Sequence, residues 1–182
     1  MTSPYPPLSD EDWPQELADM LAGFAGGLNV YRTMAHHPAL LRAWADLREH
    51  VVNQTTLGLA FSEVVILRTG WQLGSSYEWH QHIVRGRKNG LSDVRIARLS
   101  GPIAGIKGDD AVLATAVDDL FDERQLSQNS QTALVALVGK PGMFDLIATV
   151  GFYSTLGYIL NSFDTPLDHD IADELAANPL KL

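Results

Sequence analysis

The sequence predicts an all-α fold. Apolar residues recur at intervals of three and four along nearly the whole chain, and almost nothing alternates with period two. Glycine, proline and Ser/Asp pairs stand where helices of that pattern need ends. At 182 residues, one compact domain over 1–182, or two small helical halves sharing a core, is the natural division.

Residues 1–8 read as an extended arm, because Pro4, Pro6 and Pro7 prevent regular structure. Ser9 or Asp10 can cap a first helix with Leu17, Met20, Leu21 and Phe24 as its apolar stripe, ended by Gly26-Gly27. A short helix follows from Asn29 to about Ala35. Pro38 opens another through Leu41, Trp44, Leu47 and Val51. Leu59–Leu73 is more evenly apolar, as a central helix buried on most sides would be. Gly74 breaks it, Ser75-Ser76 caps the next helix, and Gly90 stops that one after Asn89. Ser92-Asp93 caps a shorter helix to about Ser100, and GPIAGIKGDD is the clearest loop. Asp109-Asp110 starts a helix with Val112, Leu113, Ala116, Leu120 and Phe121 inward. Ser127 caps the segment through Thr132–Val138, Gly139 stops it, and Pro141 opens a long helix to about Phe163. Gly151 and Gly157 within it predict a close helix crossing, in the core or between subunits. Residues 164–182 read as a polar tail.

Composition excludes several function classes. With 22 acidic against 13 basic side chains and a net charge of −9, the chain lacks the clustered Lys and Arg that phosphate contacts need, so no nucleic-acid partner is expected. Zero cysteine removes disulfides, thiolate–metal sites and thiol redox cycles. The polar, proline-rich start is not a signal peptide. The apolar runs are interrupted well short of the roughly 20 residues that span a bilayer. A cytoplasmic protein without a membrane partner is the expectation.

The densest group of polar and aromatic residues is SEVVILRTGWQLGSSYEWHQH, 62–82. On a helix, Ser75, Glu78 and His82 fall within roughly 60° of one another and share a face. Glu63 lies on the preceding helix, which the tight turn lays alongside. A carboxylate and an imidazole meeting in a partly dry cleft make a proton-transfer pair. The bland alternative is an exposed Glu78–His82 i,i+4 contact. Arg68 and Arg85 are the nearest candidate anion partners. Trp71, Tyr77 and Trp79 fit core or interface packing, with Tyr77 and Trp79 also candidates for substrate contact.

Other motifs carry little. His80 and His82 point roughly 160° apart on a helix, which argues against joint metal ligation. His36-His37 and Asp168-His169-Asp170 read as solvated loop residues. GIKGDD lacks phosphate-loop spacing, and no G-x-S-x-G is present. No metal and no cofactor are expected.

At Glu63…Tyr77-Glu78-Trp79…His82 the sequence resembles the carboxymuconolactone decarboxylase superfamily, which includes the alkylhydroperoxidase D-like proteins. Further likeness lies in N-V-Y-R-T-M-A-H-H-P-A-L-L-R-A-W, E-V-V-I-L-R-T-G and Y-E-W-H-Q-H followed by N-G-L-S, and it covers about 25–165. In the peroxidase branch a glutamate is followed twelve residues later by C-x-x-C-x-x-x-H. Here Glu63 and His82 keep the glutamate and histidine, while Ser75 and Glu78 stand where the cysteines would be. The resemblance implies an alkylhydroperoxidase D-like bundle and homo-oligomers, commonly trimers or hexamers, with the cleft near a subunit interface. Peroxide reduction needs two thiols that serine and glutamate do not supply. What remains implied is acid–base chemistry on a small lactone or carboxylic acid. In it His82 moves a proton, Glu63 orients it, Glu78 is a second acid, and Ser75, Tyr77, Trp79, Arg68 and Arg85 contact substrate. The alternative is a non-catalytic oligomeric binding protein on the same fold, which a sealed Glu63–His82 pair would favour and an open pocket would not.

Overall fold

The structure is a computed structural model that describes residues 3–180, and every regular element among them is helical. In order these are α1 (Ala18–Leu21), α2 (Asn29–Met34), α3 (Pro38–Glu49), α4 (Leu59–Gln72), α5 (Ser76–Lys88), α6 (Asp93–Arg98), α7 (Gly108–Asp122), α8 (Gln128–Phe163) and α9 (His169–Ala177). The expected all-α class and most expected helix starts agree with this order. Ser75, Ser92 and Ser127 each accept a backbone N–H from the residue three positions on, capping α5, α6 and α8.

The even apolarity of α4 has the expected cause: every residue from Ser62 to Gly70 is buried. The helix runs between two apolar clusters. One gathers Val64, Val65 and Leu67 of α4 with α6, α7 and the first part of α8. The other gathers Ile66 with α2, α3 and the second part of α8, including Phe152, Tyr153 and Leu156. Gly74, at φ +60, turns the chain so that α5 returns along α4. At Gly70 an added Cβ would stand 3.3 Å from both Glu78 Cβ and Trp79 N, so the glycine lets the two helices approach closely. Glu63 is two turns before Gly70 on the same face of α4, and that face meets α5.

Several boundaries differ from the sequence reading. Ser9 binds Asp12 (Oγ–Oδ2 2.8 Å) in a local turn, Pro14 is extended, and helical geometry begins only at Gln15. After α3 the chain widens into a π-turn over His50–Gln54. Asp145 of α8 anchors it, accepting from Thr56 N (2.6 Å) and Thr56 Oγ1 (2.7 Å) and pairing with His50 Nε2 (2.7 Å). The stretch expected as one loop after Ser100 holds a short turn at Ile103–Gly105, and α7 starts at Gly108.

The segment expected as a polar tail is partly helical. In α9, Ile171 is buried and Leu175 packs on the first cluster. A two-residue apolar stripe among acidic neighbours is too short to register as periodicity. Asp168, just before it, is buried and ties the segment to the bundle. Lys181 and Leu182, like Met1 and Thr2, lie outside the described residues.

Gly139, at φ +72, interrupts α8 at the expected break. Gly157 makes the expected close crossing within the chain, since a Cβ there would meet Leu73 Cδ1 at 2.7 Å, whereas Gly151 faces open space. Among the described residues α8 is the one helix long and apolar enough, by length and composition, to cross a membrane. That departs from the expectation of short apolar runs, because serine and glycine beyond Gly139 do not break the helix. Its inward face belongs to the core, while Phe144, Ile147 and Tyr158 are exposed.

Candidate functional site

The α4–α5 hairpin brings the expected pair together. His82 Nδ1 lies 2.7 Å from Glu63 Oε2, and both residues are buried. Asn89, the residue directly after α5, donates its side-chain amide to Glu63 Oε1 at 3.0 Å. Both Glu63 oxygens are thus occupied, and the carboxylate holds His82 with its proton on Nδ1 and a free lone pair on Nε2. Glu78 is one turn before His82, and its Oε2 stands 3.5 Å from His82 Nε2, longer than a hydrogen bond. Its Oε1 is buried without a partner. Glu78 and His82 are therefore not an exposed surface pair.

Burial sets the protonation of both. It pushes Glu78 from 4.5 to about 8, with Arg85 pulling down and Glu63 pushing up. It also pushes His82 below its usual value, outweighing the opposite pull of Glu63. At neutral pH the site accordingly holds a protonated carboxyl beside a neutral imidazole.

Two cavities have His82 in their walls. The outer one, about 350 Å3, is lined by Val51, Val52 and Asn53 of the π-turn, by Leu59, Ser62, Glu63 and Ile66 of α4, by His82, Arg85, Lys88 and Asn89, and by Tyr153. The inner one, about 20 Å3, lies among Tyr31, Tyr77, Glu78, Gln81, His82, Arg85 and Tyr153 with apolar neighbours. That volume suits a single water. His82, Arg85 and Tyr153 line both. Among the described residues the Arg85 guanidinium makes no ion pair or hydrogen bond, unlike those of the other arginines of the hairpin, Arg68 and Arg87, and Lys88 lies one turn along the same face. Tyr31 is pushed up to about 12, chiefly by burial.

The remaining expected residues stand elsewhere. Arg68 is committed to Asp118 (2.6 and 2.7 Å) and to the carbonyls of Leu99 and Gly101, away from the cavities. Ser75 caps α5. Trp79 is half-buried beside Trp71, ring centroids 5.9 Å apart, and packs on the core. Tyr77 lines the inner cavity, but its hydroxyl donates to Asp168, which also accepts from Gln81 and, at 2.8 Å, from Asn29 N. Asp168 and Tyr153 have no signal in local spacing. Both come from distant segments that only the fold brings to α5. No group of three His, Asp or Glu side chains among the described residues is arranged to hold a metal ion.

Residues 38–118, which carry α3 to most of α7 and hence Glu63, Glu78 and His82, match the carboxymuconolactone decarboxylase family. No curated protein matches the sequence. Among solved structures, one of a cysteine-to-alanine variant of the debrominase Bmp8 in complex with 2,3,4-tribromopyrrole superposes with a TM-score of 0.77 at 12% identity. It covers 97% of this chain and 98% of that one. At that identity the likeness is one of fold. The chain is thus a cysteine-less, all-helical protein that shares its fold with that debrominase and whose residues 38–118 match the carboxymuconolactone decarboxylase family.

Proposed function

We propose that the protein is an acid–base catalyst acting on a small lactone or carboxylic acid, by decarboxylation or a related lyase or isomerase step. The observation that carries this reading is the open outer cavity of about 350 Å3 with His82 and Glu63 in its wall. A purely structural pair needs no such opening. His82, neutral and oriented by Glu63, is the group that moves the proton, and Glu78 is the acid that resupplies it through Nε2. Arg85 and Lys88 draw the anionic end of the substrate. In a decarboxylation, the bond from carbon to the carboxylate breaks and CO2 leaves. The electron pair passes to an adjacent carbonyl as an enolate, and one proton returns to carbon.

The test is a panel of small lactones and β-keto acids, followed for CO2 release and for deuterium incorporation from solvent. His82→Ala is expected to cost about 10²–10⁴-fold in turnover and Glu63→Gln a similar order. Turnover untouched by either substitution overturns the assignment. One observation favours a second reading, a binding protein without turnover: Glu63 already has both oxygens paired within the chain. Saturable binding of such acids with no product and no exchange would select it.

The same proposal places the protein in the cytoplasm as a homo-oligomer, with Phe144, Ile147 and Tyr158 of α8 covered by another subunit rather than by lipid. Light scattering on the purified protein checks this, and a monomer at micromolar concentration refutes it.

A further inference from the structure

We infer that Tyr153 is a further catalytic residue, whose hydroxyl joins the Arg85 guanidinium as a pair of donors to the substrate oxygen that gains negative charge. The inference rests on the acid–base reading above and adds the group that receives the charge the proton transfer creates.

Three observations carry it. First, His82, Arg85 and Tyr153 are the residues common to the outer and inner cavities, so a substrate that reaches His82 enters a space whose walls the other two also form. Second, the Tyr153 ring stands perpendicular to His82, with centroids 5.1 Å apart at an interplanar angle of 89°. Its ring also packs against Phe152, centroids 5.2 Å apart, and the residue is 4% exposed. This fixes the direction of the hydroxyl by packing rather than by a hydrogen bond. Third, that hydroxyl makes no hydrogen bond to another described residue, whereas the nearby Tyr77 spends its own on Asp168. Buried phenol hydroxyls usually find a partner, and one left free beside a cavity is aimed at what enters the cavity.

The electrostatics agree. Burial first, then Tyr31 and Glu78, hold the Tyr153 hydroxyl well above its usual value, so it stays a neutral donor. A neutral donor fixed in a dry wall and a guanidinium without an ion pair are the two elements that stabilise a developing oxyanion. The opposing charge is Glu63, whose carboxylate is turned to His82 and Asn89. Phenylalanine at 153 would fill the same volume, so packing alone does not call for the oxygen.

The test needs no substrate. 4-Nitrophenol, whose anion is a flat, delocalised oxyanion, is titrated into the whole protein and read by its absorbance, with 4-nitroanisole as the uncharged control. The wild-type protein is expected to bind the anion in preference to the anisole and to lower the midpoint at which the bound phenol ionises. Tyr153→Phe should weaken the anion about tenfold or more, as for loss of a hydrogen bond to a charged group, while leaving the anisole unchanged. Arg85→Gln should do the same. Equal loss of both ligands in Tyr153→Phe points to disturbed packing and overturns the inference. So does an unchanged affinity for the anion, or no preference for it in the wild type. The readout is binding and not turnover: anion preference without turnover of any lactone or acid sinks the acid–base reading alone, and turnover without anion preference sinks this inference alone.

Discussion

Glu78→Gln should change how stability depends on pH. The buried carboxyl keeps its proton up to about 8 in the folded chain, against 4.5 for the ordinary group. Each pH unit of that difference corresponds to about 1.36 kcal/mol, so the whole displacement is on the order of 5 kcal/mol. The folded state binds the proton more tightly, so the contribution is fully present below 4.5. It is then lost progressively as pH rises to about 8. Glutamine keeps the shape and the donor of the protonated acid but has nothing to ionise. Urea unfolding followed by circular dichroism, at fixed protein concentration and at pH 5, 6, 7 and 8, gives the free energy of each protein. The stability of the wild type relative to the variant should fall by about 3.5 kcal/mol across that range. His82, held below its usual value by burial, acts with the opposite sign below about 6.5 and is present in both proteins. Taking the difference removes most of its contribution. Curves that stay parallel within about 1 kcal/mol would show that Glu78 ionises normally, and the proton reservoir next to His82 would be lost.

Turnover, once a substrate is found, should fall as pH drops below the His82 transition and fall again above about 8 as Glu78 ionises, and Glu78→Gln should abolish the alkaline limb. Gly157→Ala should destabilise by about 1–3 kcal/mol, because its Cβ meets Leu73 at 2.7 Å. Gly151→Ala has open space in this chain and should stabilise an isolated subunit by about 0.5–1 kcal/mol, so a loss of stability or of assembly there would mark a subunit contact. Asp168→Ala strands Tyr77, Gln81 and the start of α2, and should cost about 2–4 kcal/mol in denaturant unfolding.

What the sequence disclosed and what it hid divide along a physical line. Helix existence was legible wherever a stripe of apolar residues ran for three turns or more, as in α4, α5 and α7, and wherever serine stood before a helix as its cap. The Glu63–His82 pair was legible because Gly70 and Gly74 make the α4–α5 hairpin nearly a local structure. Arg68 was misplaced for the same reason that made it attractive. It is close in sequence to Glu63, but it is on another face of α4, where Asp118 takes it. Tyr153 was invisible, and Asp168, read as a solvated loop residue, is instead buried against Tyr77, Gln81 and Asn29, because side chains from the second part of α8 and from the chain before α9 reach α5 only through packing of the second apolar cluster.

The missing thiols also bear on how a chain with a net charge of −9 can attract an anion. Position 78 is in the first turn of α5, where the helix dipole favours a negative side chain. Desolvation wins there: the residue is 3% exposed, and its carboxyl keeps its proton to about 8. A charged Glu78 would cancel Arg85 and leave the cavities with no excess of positive charge. Protonated, it leaves Arg85 and Lys88 against Glu63 alone, a site of net positive charge in an acidic protein. Field lines focused in such a cleft concentrate anions locally whatever the sign of the whole surface. A glutamate at position 78 is therefore compatible with binding an acid only because it is buried. Raising the pH past about 8 should weaken 4-nitrophenolate binding in the wild type and leave it unchanged in Glu78→Gln. Equal weakening in both would mean that some other group closes the site.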